Sequence, residues 1–460
     1  MKASIHAWRQ RGVTLIELMI AMVLGLLVAA GIVTVFASTS SSNKAQNQMA
    51  RLQEEGRFAI TKLSTDLRMA NGQYCSNTGG TAKPGAGGDY LDHLRTPTVY
   101  ATNLIGAAGA ISGAMADITT AWGSASGSGG NYPAAPAATY SMPSFLFMRG
   151  YDCTLTACTP MNPTTIGLPA LGSGLGQRVK GTDAITVRYI NPTSGWAIGT
   201  AAGSTIAPSS SSGPITSITL KQDVAAHEPL VSNFKSGDLA MLADCSNAQI
   251  FAVGSVAGGV LTVAGGANFA GAQPVALQPQ SAPAVFDLNT DLLTVTYYLK
   301  VVSVNNDNSA PFTGALMRRV NGGVANSAHN GSEDELLRGI ERLDFKYGVQ
   351  DAAGNTSYLT ANQVDASTTC PPAEINQLTP ATGCLWRGIK SIEVSVLMDG
   401  QIPLYTLSTN DIFYSYNGDG SSNGVVAPAG HTIKPSDQGF PDQMLRREFD
   451  ALVAVRNYNP

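Results

Sequence analysis

The sequence predicts an α+β fold: one long N-terminal helix packed on a mainly antiparallel β-sheet head with long Gly/Ala/Ser-rich loops. Three observations predict it. An apolar run near the N-terminus continues without a break into an amphipathic helical stripe. Short β-like runs, several with period-two alternation and with turn residues between them, recur beyond residue 144. Only 13% of the 460 residues are charged while Gly alone numbers 49, which suits an exported β-rich protein better than a compact cytosolic enzyme. Lys+Arg 28 against Asp+Glu 32 gives −4 with no basic patch, so nucleic acid is not an expected partner.

The helix comes first. Residues 1–12, "MKASIHAWRQRG", carry Lys2, Arg9 and Arg11 and no acid. From 18 to 43 no residue is charged, and 18–37 is almost wholly apolar. About 20 such residues cross the ~30 Å hydrocarbon core as a helix. Basic residues on the N-terminal side predict that this end stays cytoplasmic and the remainder is exported. A cleaved secretory signal is the rival reading, with "VAAGIVTVFAS" supplying the cleavage region. The length of the run, the glutamate at its start and the helical pattern beyond it favour a retained helix. That pattern places Met49, Leu52, Ala59, Leu63, Leu67 and Ala70 on one stripe, with Arg51, Glu54, Glu55, Arg57, Lys62, Asp66 and Arg68 on the other faces. Asn71 and Gly72 supply a stop. One helix is therefore expected from about Val13 to about Met69, on the order of 85 Å long.

Glu17 is the one acid in the run 11–36. An ionisable side chain in hydrocarbon costs about 2.5–3.5 kcal/mol, which marks it as functional by default. The bland alternative is that Glu17, about 7 Å from the helix start, reaches the headgroups unaided.

"RGVTLIEL" at 11–18 resembles the class III signal of type IV pilins and their relatives. In that family a prepilin peptidase cuts after the glycine. The resemblance implies cleavage between Gly12 and Val13, N-methylation of Val13, and Glu17 as the family's acidic fifth residue. That residue is inferred to form an assembly salt bridge with the N-terminal ammonium of a neighbouring subunit. Thr34 stands where major pilins commonly carry a helix-breaking proline, which implies a more continuous helix and a minor pilin or pseudopilin.

Beyond the spine, 72–143 is a low-complexity loop region expected to bury little ("GGTAKPGAGGD", "GSASGSGGNYPAAPAA"), and 144–460 is the β-rich head. A second low-complexity stretch covers 194–214. Expected strands include "SFLFMRG", "DAITVRYI", "ITSITL", "DLAMLAD" and "LLTVTYYLKVVS", with a hairpin of "AQIFAVGSVAG" and "GVLTVAGG". In "GIERLDFKYGV", Leu343, Phe345 and Tyr347 alternate with Asp344 and Lys346 as a half-buried strand requires. "IKSIEVSVL" repeats the pattern with Ile392, Val394 and Val396, and a terminal "RREF…VAVRN" follows. This order is similar to the PilW group of minor pilins, over roughly 11–70 and 290–458. The resemblance implies a subunit that primes or caps a filament within a minor-pilin complex. Implied partners are other minor pilins, the major pilin, the prepilin peptidase, the inner-membrane assembly platform, the lipid bilayer and a large tip adhesin. It implies an inner-membrane location before assembly and the cell-surface pilus after it. A type II secretion pseudopilin and a ligand-binding tip subunit stay open as alternatives.

Six cysteines, Cys75, Cys153, Cys158, Cys245, Cys370 and Cys384, form no CxxC pair, which argues against zinc and thioredoxin-like chemistry. An even count behind an export signal reads as disulfides. Nearness favours Cys153–Cys158 and Cys370–Cys384, leaving Cys75–Cys245; buried free thiols are the alternative. Histidines 6, 93, 227, 329 and 431 are scattered without ligand spacing. No nucleophile elbow or phosphate loop appears, so neither an enzyme nor a cofactor is expected. "NGDGSSNG" places Asn417, Asp419, Ser421 and Asn423 at alternate positions, as calcium-loop ligands are spaced. With Pro428 at the twelfth position, a simple turn is the preferred reading.

Overall fold

The computed structural model describes residues 12–456 apart from 73, 75–82, 85–90, 93–95, 106–114, 128, 192, 200–202, 209–212, 232–233, 245–246, 264–265, 278–280, 325–330, 352, 368–375, 405–413 and 420–431. Helix α1 runs unbroken from Leu15 to Leu67. Its 53 residues make it about 80 Å long. Thr34 continues the helix because it keeps the backbone N–H a proline would lack, and its hydroxyl donates to the carbonyl of Gly31 at 2.8 Å. The chain leaves the helix through Asn71, which takes a left-handed conformation (φ 61°) open to Asn at little cost. The N–H of Asn71 donates to the carbonyl of Arg188.

The main strands are β1 (Met148–Cys153), β2 (Ala184–Ile190), β3 (Leu239–Ala243), β4 (Ala248–Ala252), β5 (Ala284–Asp287) and β6 (Leu292–Ser303). They continue as β7 (Phe312–Val320), β8 (Ser332–Arg338), β9 (Ile340–Gln350), β10 (Thr356–Leu359), β11 (Ser391–Asp399) and β12 (Arg446–Ala454). A central sheet runs β8-β7-β6-β2-β1 and a C-terminal sheet β10-β9-β11-β12, these neighbours all antiparallel; at the edge of the central sheet Arg178–Val179 pairs with β6 and, in parallel, with Leu171–Gly172. Leu343, Phe345 and Tyr347 of β9 face Val396, Val394 and Ile392 of β11. All six are buried, as the alternation predicts. Leu52, Ala59, Leu63 and Leu67 of α1 join them and β6 in one core.

Residues 194–288 form a second layered unit within the head. β3, β4 and β5 lie in a six-stranded sheet with Trp196–Ala197, Thr98–Val99 and Tyr140–Ser141, whose one parallel pairing joins β4 to Thr98–Val99. A four-stranded sheet of Thr205–Ala207, Ser217–Thr219, Val260–Thr262 and Ser255–Ala257 accompanies it, the last two forming the expected hairpin. Trp196, Ile218, Phe234, Leu242, Phe251, Leu261 and Val285 make a hydrophobic core distinct from the first.

Several expectations need correcting. "SFLFMRG" opens as a 3-10 turn, Ser144–Leu146, after Pro143, and the strand begins only at Met148. Much of 115–143 lies inside the head: Met115, Ala116, Asp117, Thr120, Tyr132 and Tyr140 are all buried. Side-chain hydrogen bonds hold this stretch in place. Ser126 and Tyr132 both donate to the carboxylate of Asp365, which also accepts from Arg149 and from the indole N–H of Trp386. Composition reports how little area a stretch carries, not where the stretch lies.

Candidate functional site

The first residues of α1 hold the sequence-predicted group together. Gly12 and Val13 precede the helix, and Val13 is 72% exposed. Thr14 is the N-cap, in extended conformation, and Glu17 is the third helical residue, so the two close a capping box. The hydroxyl of Thr14 accepts from the Glu17 N–H at 3.3 Å, and the Glu17 carboxylate accepts from the Thr14 N–H at 3.0 Å and hydroxyl at 2.9 Å. The carboxylate also lies at the positive end of the helix dipole. Thr-x-x-Glu at the start of an apolar run is itself a sequence signal for this box, and the reading of Glu17 purely as a pair-seeking charge passed over it.

From Val13 to Phe36 every large apolar side chain is more than half exposed. A helix this apolar all round needs lipid or other helices about it. By length and composition it is able to cross a membrane. Farther along, Gln48, Leu52, Gly56, Ala59, Leu63, Asp66 and Leu67 turn inward. Gly56 is required there: the phenyl ring of Phe449 on β12 occupies the place a Cβ would take.

Asp66, expected on a solvent face, is instead a buried clamp between spine and head. Its carboxylate accepts from the Tyr189 hydroxyl (2.8 Å), the Tyr297 hydroxyl (2.6 Å) and Arg318 Nε (2.7 Å). Burial alone would raise its pKa. The Arg318 guanidinium and the two hydroxyls outweigh that and hold the carboxyl below the usual range. Nearer the membrane, Arg51 pairs with Glu55 (2.6 Å) and both reach Gln401.

Cys153 and Cys158 are joined as a disulfide. Cys384 is disulfide-bonded; Cys75, Cys245 and Cys370 lie outside the described residues. Of the calcium-like tetrad, Ser421 and Asn423 lie outside the described residues. Asn417 sits in a 3-10 turn (Asn417–Asp419) with its N–H donating to Glu448 and its amide to Asp450. No cluster of three His, Cys, Asp or Glu suited to a metal occurs among the described residues. His227 occupies an exposed turn; the other four histidines lie outside the described residues.

Comparison with known proteins points the same way as this geometry. The family model described as Type IV Pilus-assembly protein W matches residues 296–457, which hold β7 to β12 and most of β6. The model described as Prokaryotic N-terminal methylation motif matches 9–33, which hold Gly12, Val13, Glu17 and most of the exposed apolar half of α1. No curated protein matches the chain. No solved structure matches it.

Proposed function

From the premise that this chain is a PilW-like type IV pilin, a minor subunit of pilus assembly anchored by its N-terminal helix, we propose that it primes or caps the filament within a minor-pilin complex. One observation carries the reading. A single unbroken helix carries an exposed apolar half for lipid or neighbouring helices, and a second half locked into the head. Such a subunit leaves the bilayer by exchanging lipid contacts for helix contacts, with no change in its own fold. The continuity of α1 past Thr34 favours a rigid initiating or capping subunit.

Cleavage between Gly12 and Val13 by a prepilin peptidase frees an amine four residues before Glu17. Thr14 then holds the carboxylate aimed at the helix head, where the methylated Val13 ammonium of an adjacent subunit offsets its cost in lipid. The leader is cytoplasmic and the head periplasmic before assembly. The major pilin, other minor pilins, the assembly platform and a tip adhesin are the protein partners in this scheme. The work in this scheme is positional.

Glu17→Gln tests the pairing. The variant accumulates in membranes at the wild-type level, yet recovery from sheared pili falls at least about tenfold, the equivalent of ~1.4 kcal/mol. Wild-type recovery in pili would remove Glu17 from the assembly step.

A further inference from the structure

Arg178 is fully buried, and it stands apart from the other interior arginines. Arg149 pairs with Asp365, Arg446 with Glu341, and Arg319 with Asp117. Arg188 donates to three backbone carbonyls. Arg178 has no such acceptor. One terminal nitrogen lies 3.3 Å from the Asn162 amide oxygen and 3.3 Å from the Sγ of Cys158, while its Nε and other terminal nitrogen have no partner. The carboxylate facing this region is Asp183, but its two oxygens accept from the N–H groups of Cys153 and Phe345. Burial first, then Asp344 and Asp152, pushes the Asp183 carboxyl well up toward its neutral form. The remaining ionisable neighbours, Tyr151 and Tyr298, are phenols whose pKa burial raises. Among the described residues no carboxylate is hydrogen-bonded to Arg178, and of its two neighbouring acceptors only the sulfur of Cys158 can become an anion.

We propose that Cys153–Cys158 is a thiol–disulfide exchange site for a dithiol reductant of the cell envelope, with Cys158 as the leaving sulfur and Arg178 as the group that holds its thiolate. Cys153 and Cys158 are buried beneath a turn in which Thr154, Thr156 and Ala157 are exposed, so the turn must lift before a thiolate of the reductant attacks the Sγ of Cys153. The Cys153–Cys158 bond breaks and its electron pair departs on the Cys158 sulfur, facing the guanidinium. The second thiolate of the reductant then attacks its own partner sulfur in the mixed disulfide. Cys153 leaves as a thiolate and takes up a proton, and the reductant departs as a disulfide, two electrons poorer. A guanidinium beside a cysteine lowers its pKa, and a stabilised thiolate shifts the equilibrium toward the reduced form. The bridged turn is placed so that opening it is felt elsewhere. Thr154 accepts from the N–H of Gly181, and Asp183 ties the Cys153 backbone to β9.

The test uses the full chain in detergent, with the other cysteines left as they are. In Cys153→Ala, the pH dependence of Cys158 alkylation gives its thiol pKa directly. A midpoint below the ordinary value of about 8.5 supports the site, and one at or above it overturns the proposal. Dithiothreitol equilibration at pH 8.5 is the second readout. Arg178→Met should lower the reduced-to-oxidised ratio of the pair at least about fivefold, the effect of restoring one pKa unit. An unchanged ratio in a folded Arg178→Met protein would also sink it.

Discussion

Asp66 binds the long helix to the head through four hydrogen bonds to three side chains on three different strands. Breaking such a buried arrangement strands its partners, so Asp66→Asn should cost about 2–3 kcal/mol in chemical denaturation. Because its folded pKa is lowered, the contribution of Asp66 is present above its unfolded value and is lost as pH falls through the folded one. Glu448 has the opposite sign. Burial, with Asp450 and Asp344 nearby, raises its pKa to about 7. Stability is then greatest below about pH 4.5 and declines as pH rises toward 7, for this group alone. Glu448→Gln should flatten that part of the stability–pH curve; an identical slope in the variant would refute the assignment. The inward turn of Asp66 was legible in principle, since it follows Leu63 by three residues on the helical wheel. Charge argued for solvent, and the opposing argument, three donors on β2, β6 and β7, exists only once the sheet has formed.

At the scale of elements, the unbroken helix and the alternating strands were readable because each depends on local spacing. Of the expected stripe, Leu52, Ala59, Leu63, Leu67 and Ala70 are buried and Met49 is half-buried, while Gln48 and Gly56, also buried, lie four residues to either side of Leu52. Hydrophobicity alone passes over them. Gly56 is inside because β12 brings the Phe449 ring onto the helix backbone, a long-range contact with no trace in nearby sequence. Gly56→Val should therefore destabilise the spine–head packing by about 1–3 kcal/mol, and Phe449→Ala in the same chain should recover part of it. Additive losses in the double variant would show that the two sites do not meet. Short strands such as Cys158–Thr159 and Arg178–Val179 are made by pairing partners and have no periodicity of their own.

At the scale of the whole molecule, spine and C-terminal sheet form one body, and 194–288 adds a second hydrophobic core that the two matched family models leave out. Its existence was not legible. Its strands are mostly three to five residues long and interrupted by Gly/Ser-rich turns, so they read as ornament around the head rather than as two packed sheets. The exposed apolar half of α1 was legible because lipid imposes its demand on a continuous stretch of sequence. The central claim is that this end is processed and used as a pilin's. The most direct test is the N-terminal sequence and intact mass of the protein from its native membrane, with and without the prepilin peptidase. A methylated chain beginning at Val13 only when the peptidase is present is the predicted result; a chain beginning at Met1 in both strains, or beyond Ala37, would contradict the account.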